Sequence, residues 1–179
     1  MNNQAQELIP LAAVLVDDEH RLDFLPTYFG PRLMMRGEAL VYGWMRRLAE
    51  GYNGGFWNYY TLTNGGFYMA PVLGRLRLEV DGNGYGGEMS ADAAGIVATL
   101  FVLGQLAAET QGTDECDALI DRYHWLREYA GTHAEAAQRI GVERVTVTNL
   151  IRLLDLEPEI AAALDNRELS MGHGRALLS

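Results

Sequence analysis

Lysine is absent from this chain of 179 residues: all 14 basic side chains are arginine, against 24 acidic ones, for a net charge of -10. A chain so acidic should not adhere non-specifically to DNA or to anionic membrane. It suits a partner whose own surface is basic, although an acidic balance also simply favours solubility. Exclusive use of arginine fits a GC-rich coding sequence, and arginine favours bidentate contacts to carboxylate and phosphate. Cysteine occurs once, at Cys116. It cannot form an internal disulfide or a cysteine metal cluster, and a reducing cytoplasm is the expected setting. Met1-Asn2-Asn3-Gln4 lacks the basic region of a secretory signal, and Pro10 with Asp17, Asp18 and Glu19 bounds a short apolar stretch. Neither a signal peptide nor a spanning helix is expected there, and no membrane partner.

What is present reads as an ordinary globular chain, with 49% hydrophobic and 21% charged residues. Its length allows one domain with an appendage. Residues 7–16 read as a short helix with Pro10 in its first turn. Residues 21–31 read as a loop, because Pro26, Gly30 and Pro31 break regular structure. Residues 32–50 predict a helix, with Leu33, Met34, Leu40, Val41, Trp44, Met45 and Leu48 near the 3.6 period.

A β region follows. Phe56 to Leu62 is aromatic and β-branched, Asn64-Gly65 is a hairpin signal, and Phe67 to Pro71 is the return strand. Leu76, Leu78 and Val80 alternate with charged residues, Asp81-Gly82-Asn83-Gly84 makes a turn, and Tyr85 to Met89 pairs back. The expectation is an antiparallel meander of three or four strands. Ser90 then caps a largely apolar helix with Asp92 in its first turn. That helix ends at Gly112. Thr113 or Asp114 starts another, with Ala118, Leu119, Tyr123, Leu126 and Tyr129 as its buried side. Strands and helices segregate, so the predicted class is α+β, with an antiparallel three- or four-stranded sheet packed with helices.

The texture changes after Gly131. Aromatics vanish and short Ala- and Leu-rich segments take over, so the expected domains are 1–131 and 132–179. Thr132-His133-Ala134-Glu135 has capping-box spacing. Residues 133–155 fit a helix-turn-helix: Ala137 is small where helices cross, Gly141 sits at the turn, and Val147 and Leu150 face inward. Arg144, Thr148, Asn149 and Arg152 lie on the opposite face, as candidates to reach base edges and phosphates. Residues 131–179 hold five arginines against seven acids, which is poor for a phosphate-facing module.

Catalytic constellations are weak. Residues 82–87 match G-x-G-x-x-G, but a dinucleotide site needs a second parallel strand after the helix, and here a helix follows a helix. His20, His124, His133 and His173 show no i, i+4 pairing for a metal. Cys116 reads as a small structural residue, and Trp57, Tyr59, Tyr60 and Tyr68 as sheet and core aromatics. Asp114, Glu115, Asp117 and Asp121 cluster at a helix start. They serve capping and solvation, or alternatively a docking patch for a basic partner. No catalytic, cofactor-binding or metal residue is assigned, and no cofactor is expected.

Two resemblances are carried by specific stretches. Arg21-Leu22-Asp23-Phe24-Leu25-Pro26-Thr27-Tyr28-Phe29-Gly30, Gly65-Gly66-Phe67-Tyr68-Met69-Ala70-Pro71, Leu78-Glu79-Val80-Asp81-Gly82-Asn83-Gly84 and Met89-Ser90-Ala91-Asp92-Ala93-Ala94-Gly95-Ile96 resemble the KlcA/ArdB antirestriction family. So does the helix Asp117 to His124. The resemblance covers residues 21 to 130. It implies a plasmid- or island-borne, non-enzymatic protein that relieves type I restriction of incoming DNA. The implied partner is the type I restriction-modification machinery or a linked host factor. Val147 to Leu154 and Leu169 to Leu178 are similar to the helix-turn-helix of ParB/KorB-type partition proteins, which implies a DNA contact through the tail. Nothing upstream resembles the ParB nucleotide-binding domain, and Glu143 stands where that family carries a small polar residue. The alternative function is therefore a DNA-binding plasmid regulator or partition-type protein. The oligomeric state is left open.

Overall fold

A computed structural model of the chain describes residues 10–80 and 85–133, apart from the side chains of Val80, Tyr85 and Gly86. In chain order the elements are β1 (Ala13–Leu15), α1 (Arg21–Phe29), α2 (Met34–Leu48), β2 (Trp57–Leu62), β3 (Phe67–Pro71), β4 (Arg75–Val80), β5 (Tyr85–Ser90), α3 (Ala91–Glu109) and α4 (Asp114–Thr132). The class is α+β. A three-stranded antiparallel sheet runs β1-β2-β3, and β4 and β5 form a separate antiparallel pair.

The β2–β3 turn follows its sequence signal. Asn64 Oδ1 accepts from the Gly66 amide at 3.1 Å, and Gly65 has φ +97°, a conformation that side chains with a Cβ rarely adopt. The strands do not make one continuous meander. Pro71 ends β3 and lacks the N–H to extend the ladder. The chain turns through Val72 and Leu73, and Ala91 N bonds the Gly74 carbonyl. The missing third strand of the main sheet comes instead from residues 13–15.

Two local expectations are overturned. The part of the 7–16 segment that is described holds strand β1. A short apolar run cannot be assigned by periodicity alone, and here Thr63 decides. Its hydroxyl donates to Pro10 O at 2.9 Å and accepts from Ala12 N at 3.0 Å, which fixes the segment along β2. Residues 21–29, expected as a loop, form α1 with Pro26 inside it. Proline there forfeits one helical hydrogen bond. Packing offsets the loss: Phe24 stacks on Tyr59 at 4.5 Å, and Phe24 and Phe29 both meet the Phe67 ring edge-on. Each fully buried aromatic contributes about 1.5–3 kcal/mol. Gly30, at φ +80°, closes the helix.

α3 is the centre of the core. Ser90 caps it as predicted, its Oγ accepting from Ala93 N at 3.1 Å. Leu100, Val102, Leu103 and Leu106 are fully enclosed, by α2, β3 and α4. By length and composition α3 alone among the described helices would suit a bilayer. Its apolar character is accounted for by burial on most sides. The helix ends at Glu109, ahead of Gly112, which turns at φ +82°. α4 begins after Thr113, and its buried residues are Cys116, Leu119, Tyr123, Leu126 and Ala130. Ala118 and Tyr129, expected among them, are half-buried, one step round the helix from that stripe. α4 continues through Thr132, whose hydroxyl donates to the Tyr129 carbonyl at 3.0 Å. Thr132 is the last residue of this helix, and Ala134 and Glu135 of the expected capping box lie outside the described residues.

Candidate interaction surface

The acidic start of α4 is assembled by local rules. Carboxylates in a first turn face the positive end of the helix dipole, and Asp114, Glu115 and Asp117 all lie there. Asp114, Asp117 and Asp121 are exposed. Their i, i+3, i+7 spacing places them along one face. Glu115 differs from its neighbours, because Arg32 Nη1 donates to it at 2.8 Å across the gap to the α2 side. Hydrogen bonding to its own backbone amide, with help from Thr113, holds the Glu115 carboxyl below the usual carboxylate range. A second clamp lies beside it. Arg36 grips Glu109 with two hydrogen bonds of 2.8 and 2.6 Å, and Gln105 adds a third at 3.0 Å. Three of the four predicted partner-facing acids thus present to solvent, while Glu115 ties the bundle together.

Two polar clusters are partly buried. Asp92, in the first turn of α3, accepts from Tyr68 Oη at 2.9 Å on one oxygen and lies 2.9 Å from His133 Nε2 on the other. Tyr60, Tyr68 and Tyr129 stack in series around it. Burial, and then the nearby Asp92 charge, push the Tyr68 phenol well above its ordinary range. Across the sheet, Glu38 accepts from Tyr42 Oη at 2.8 Å and from Tyr59 Oη at 3.2 Å. Arg21 lies over the Phe56 and Tyr59 rings and donates to the Trp57 carbonyl at 2.6 Å. These groups satisfy one another and pin helices to strands. From sequence, Asp92 reads only as a dipole partner. Its partner His133 is 41 residues away, beyond any local signal.

The other candidates fall as follows. His20 pairs with Asp17 at 2.6 Å in the open. His124 is exposed, and Cys116 is buried with its thiol donating to the Ala107 carbonyl at 3.2 Å. Trp57, Tyr59 and Tyr68 are core residues, and Tyr60 is half-buried on the sheet. Among the described residues no group of His, Cys, Asp or Glu is placed to hold a metal ion. Of the glycine motif, residues 85–87 lie in β5, antiparallel to β4 with Val80 opposite Tyr85, and not in a parallel βαβ unit; residues 82–84, with the turn expected at 81–84, lie outside the described residues. Arg144, Thr148, Asn149, Arg152 and His173 lie outside the described residues.

Comparison with known proteins decides the family. Residues 50–142 match the family described as "Antirestriction protein". The chain is 70% identical over 138 residues to "Antirestriction protein KlcA" from Escherichia coli, covering 76% of this chain and 95% of that protein. The chain belongs to the antirestriction protein family. A solved structure of that family superposes with a TM-score of 0.66 at 69% identity, covering 77% of this chain and 96% of the other. It comes from work on KlcA and ArdB describing a novel fold and antirestriction activity against type I DNA restriction systems in vivo but not in vitro. Residues 121–179 also match "ParB HTH domain". There the chain is 56% identical over 48 residues to "Probable chromosome-partitioning protein ParB" from Treponema pallidum, of which it covers 15%. The antirestriction and ParB matches overlap on 121–142, so the second half of α4 belongs to both.

Proposed function

We propose that this chain relieves type I restriction of incoming DNA in the cytoplasm by presenting a folded surface to the restriction machinery or a linked host factor, without performing chemistry. The observation that carries the reading is the near-complete correspondence with the KlcA and ArdB structure, over 96% of its length. An activity described in cells but not with purified components favours a mode of action that needs a further cellular component. The exposed acids Asp114, Asp117 and Asp121 suit a basic partner, and charge of this kind steers encounter more than it adds affinity.

The test is the plating efficiency of unmodified phage on cells carrying a type I system. Expression of the chain raises it toward the level of a restriction-deficient host. No change, under conditions in which Escherichia coli KlcA relieves restriction, removes the proposal.

A second reading rests on the ParB match. The tail carries a DNA contact through Arg144, Thr148, Asn149 and Arg152, and adds it to the antirestriction domain. Gel shifts with plasmid DNA at low and moderate salt examine this. Binding insensitive to salt, or unchanged in Arg144→Ala and Arg152→Ala, counts against it.

A further inference from the structure

The two long edges of the main sheet are treated differently. At β3 the outer edge is sealed by α3: Thr99 Oγ1 accepts from the Met69 amide at 3.2 Å, and all five residues of β3 are buried. At β1 no described element pairs with the outer edge. Thr63 N donates to Ala12 O, Val16 N donates to Tyr59 O, and Val14 stands opposite Thr61. Residues 12, 14 and 16 therefore turn their backbone groups toward β2. The alternation of an antiparallel ladder then directs the amides and carbonyls of Ala13 and Leu15 away from it. Those groups meet no partner among the described residues. Beside them Val14 and Leu15 are 54% and 55% exposed.

An open edge with apolar side chains is a template for another strand. The surrounding charge states what kind. Asp17, Asp18 and Glu19 are exposed immediately after β1. At its other end, Thr63 bonds Ala12, and the neighbouring Asn64 holds Glu128 at 3.0 Å. The Asp17-Asp18-Glu19 run thus lies at one end of the edge, with Asp17 paired to His20 at 2.6 Å, and Arg21, the nearest arginine in sequence, is folded over the Phe56 and Tyr59 rings. We infer that β1 is a docking edge for an extended, basic-flanked segment of a partner protein, added as a further strand through the backbone of Ala13 and Leu15. The inference rests on the antirestriction reading and names the surface it uses.

Leu15→Pro tests it, because the outward amide is lost while Val14 keeps its pairing to β2; proline is tolerated at such edge positions. Asp18→Arg with Glu19→Arg is the companion variant, touching only exposed side chains. Met35→Gln, at an exposed apolar side chain on α2 outside the proposed edge, is the control. Restriction relief in cells falls by about tenfold or more in Leu15→Pro and in the charge-reversed chain, a loss equivalent to at least one decade of affinity, and persists in Met35→Gln. Thermal melting establishes that each variant folds. If Leu15→Pro does not fold, the charge-reversed chain decides alone. Amide exchange supplies an independent readout: in the isolated protein Ala13 and Leu15 exchange fast while Val14 is protected.

An unaltered chain that gives no relief overturns this inference together with the reading beneath it. An unaltered chain that relieves restriction, with folded edge variants that relieve it equally, overturns this inference alone. A concentration-dependent dimer abolished by Leu15→Pro assigns the edge to a second copy, and overturns the inference. Slow exchange at Leu15 that becomes fast on removing residues 1–9 assigns the edge to the chain itself, and overturns it likewise.

Discussion

The side chain of Thr99 holds the Met69 amide at 3.2 Å while donating to the Gly95 carbonyl at 2.8 Å, so that one buried hydroxyl fastens α3 to the edge of the sheet. Gly95 makes this approach possible: a Cβ there would collide with the Met69 carbonyl and lie 2.6 Å from the Ala70 Cα. Thr99→Val preserves shape but strands a buried amide, which costs about 1–3 kcal/mol. Thr99→Ser keeps the bond and loses less. Gly95→Ala forces helix and strand apart at a cost of about 1–3 kcal/mol. Denaturant melts of the three variants check the order. Equal stability of Thr99→Val and the unaltered protein would show that the hydroxyl is dispensable.

The Tyr68–Asp92–His133 cluster should be asymmetric. The Tyr68 side chain is almost wholly buried, whereas Asp92 is 36% and His133 13% exposed. Asp92→Ala leaves the Tyr68 hydroxyl without its acceptor and costs about 1–3 kcal/mol. Asp92→Asn keeps an acceptor and costs less. Pairing Asp92→Ala with Tyr68→Phe recovers part of the loss, as a double-mutant cycle on unfolding free energies would reveal. Strict additivity would mean the two groups do not interact.

The Arg36–Glu109 clamp predicts a pH dependence of definite sign. Its hydrogen bonds, above all that from Arg36, hold the Glu109 carboxyl below its ordinary 4.5. A lowered folded-state value contributes stability that is present above the ordinary value. That contribution is lost as pH falls through the depressed one. Both side chains are at least a third exposed, so solvent screening confines the contribution to about 1 kcal/mol or less. The stability gap between the unaltered protein and Glu109→Gln is therefore small at pH 7 and closes as pH falls below the ordinary 4.5. A gap that widened on acidification would reverse the assignment.

Local chemistry was legible where one residue type dictates one geometry. Asn64-Gly65 announced the hairpin, Ser90 the start of α3, and the apolar period of α2 placed it within two residues at each end. Elements fixed by distant partners were not. β1 depends on Thr63, some 50 residues away in the chain, and α1 tolerates Pro26 because Phe67 and Tyr59 enclose its aromatic face. The same division runs through the candidate surface. The acidity of α4 can be read directly, but the capture of Glu115 by Arg32 and the meeting of Asp92 with His133 exist only after folding.

The enclosure of α3 has a consequence for how the chain is made. Its strands and α2 precede it, but α4, which closes much of its surface, is the last described element to be synthesised. At about 5–20 residues per second, the stretch from Thr110 to Thr132 takes about one to five seconds to make, and until it is made the side of the apolar helix that α4 covers lacks its cover. During that interval α3 has the composition of a membrane segment and no lid, and it is a natural client for a chaperone. Any shortening of the chain that reaches into α4 makes that transient exposure permanent.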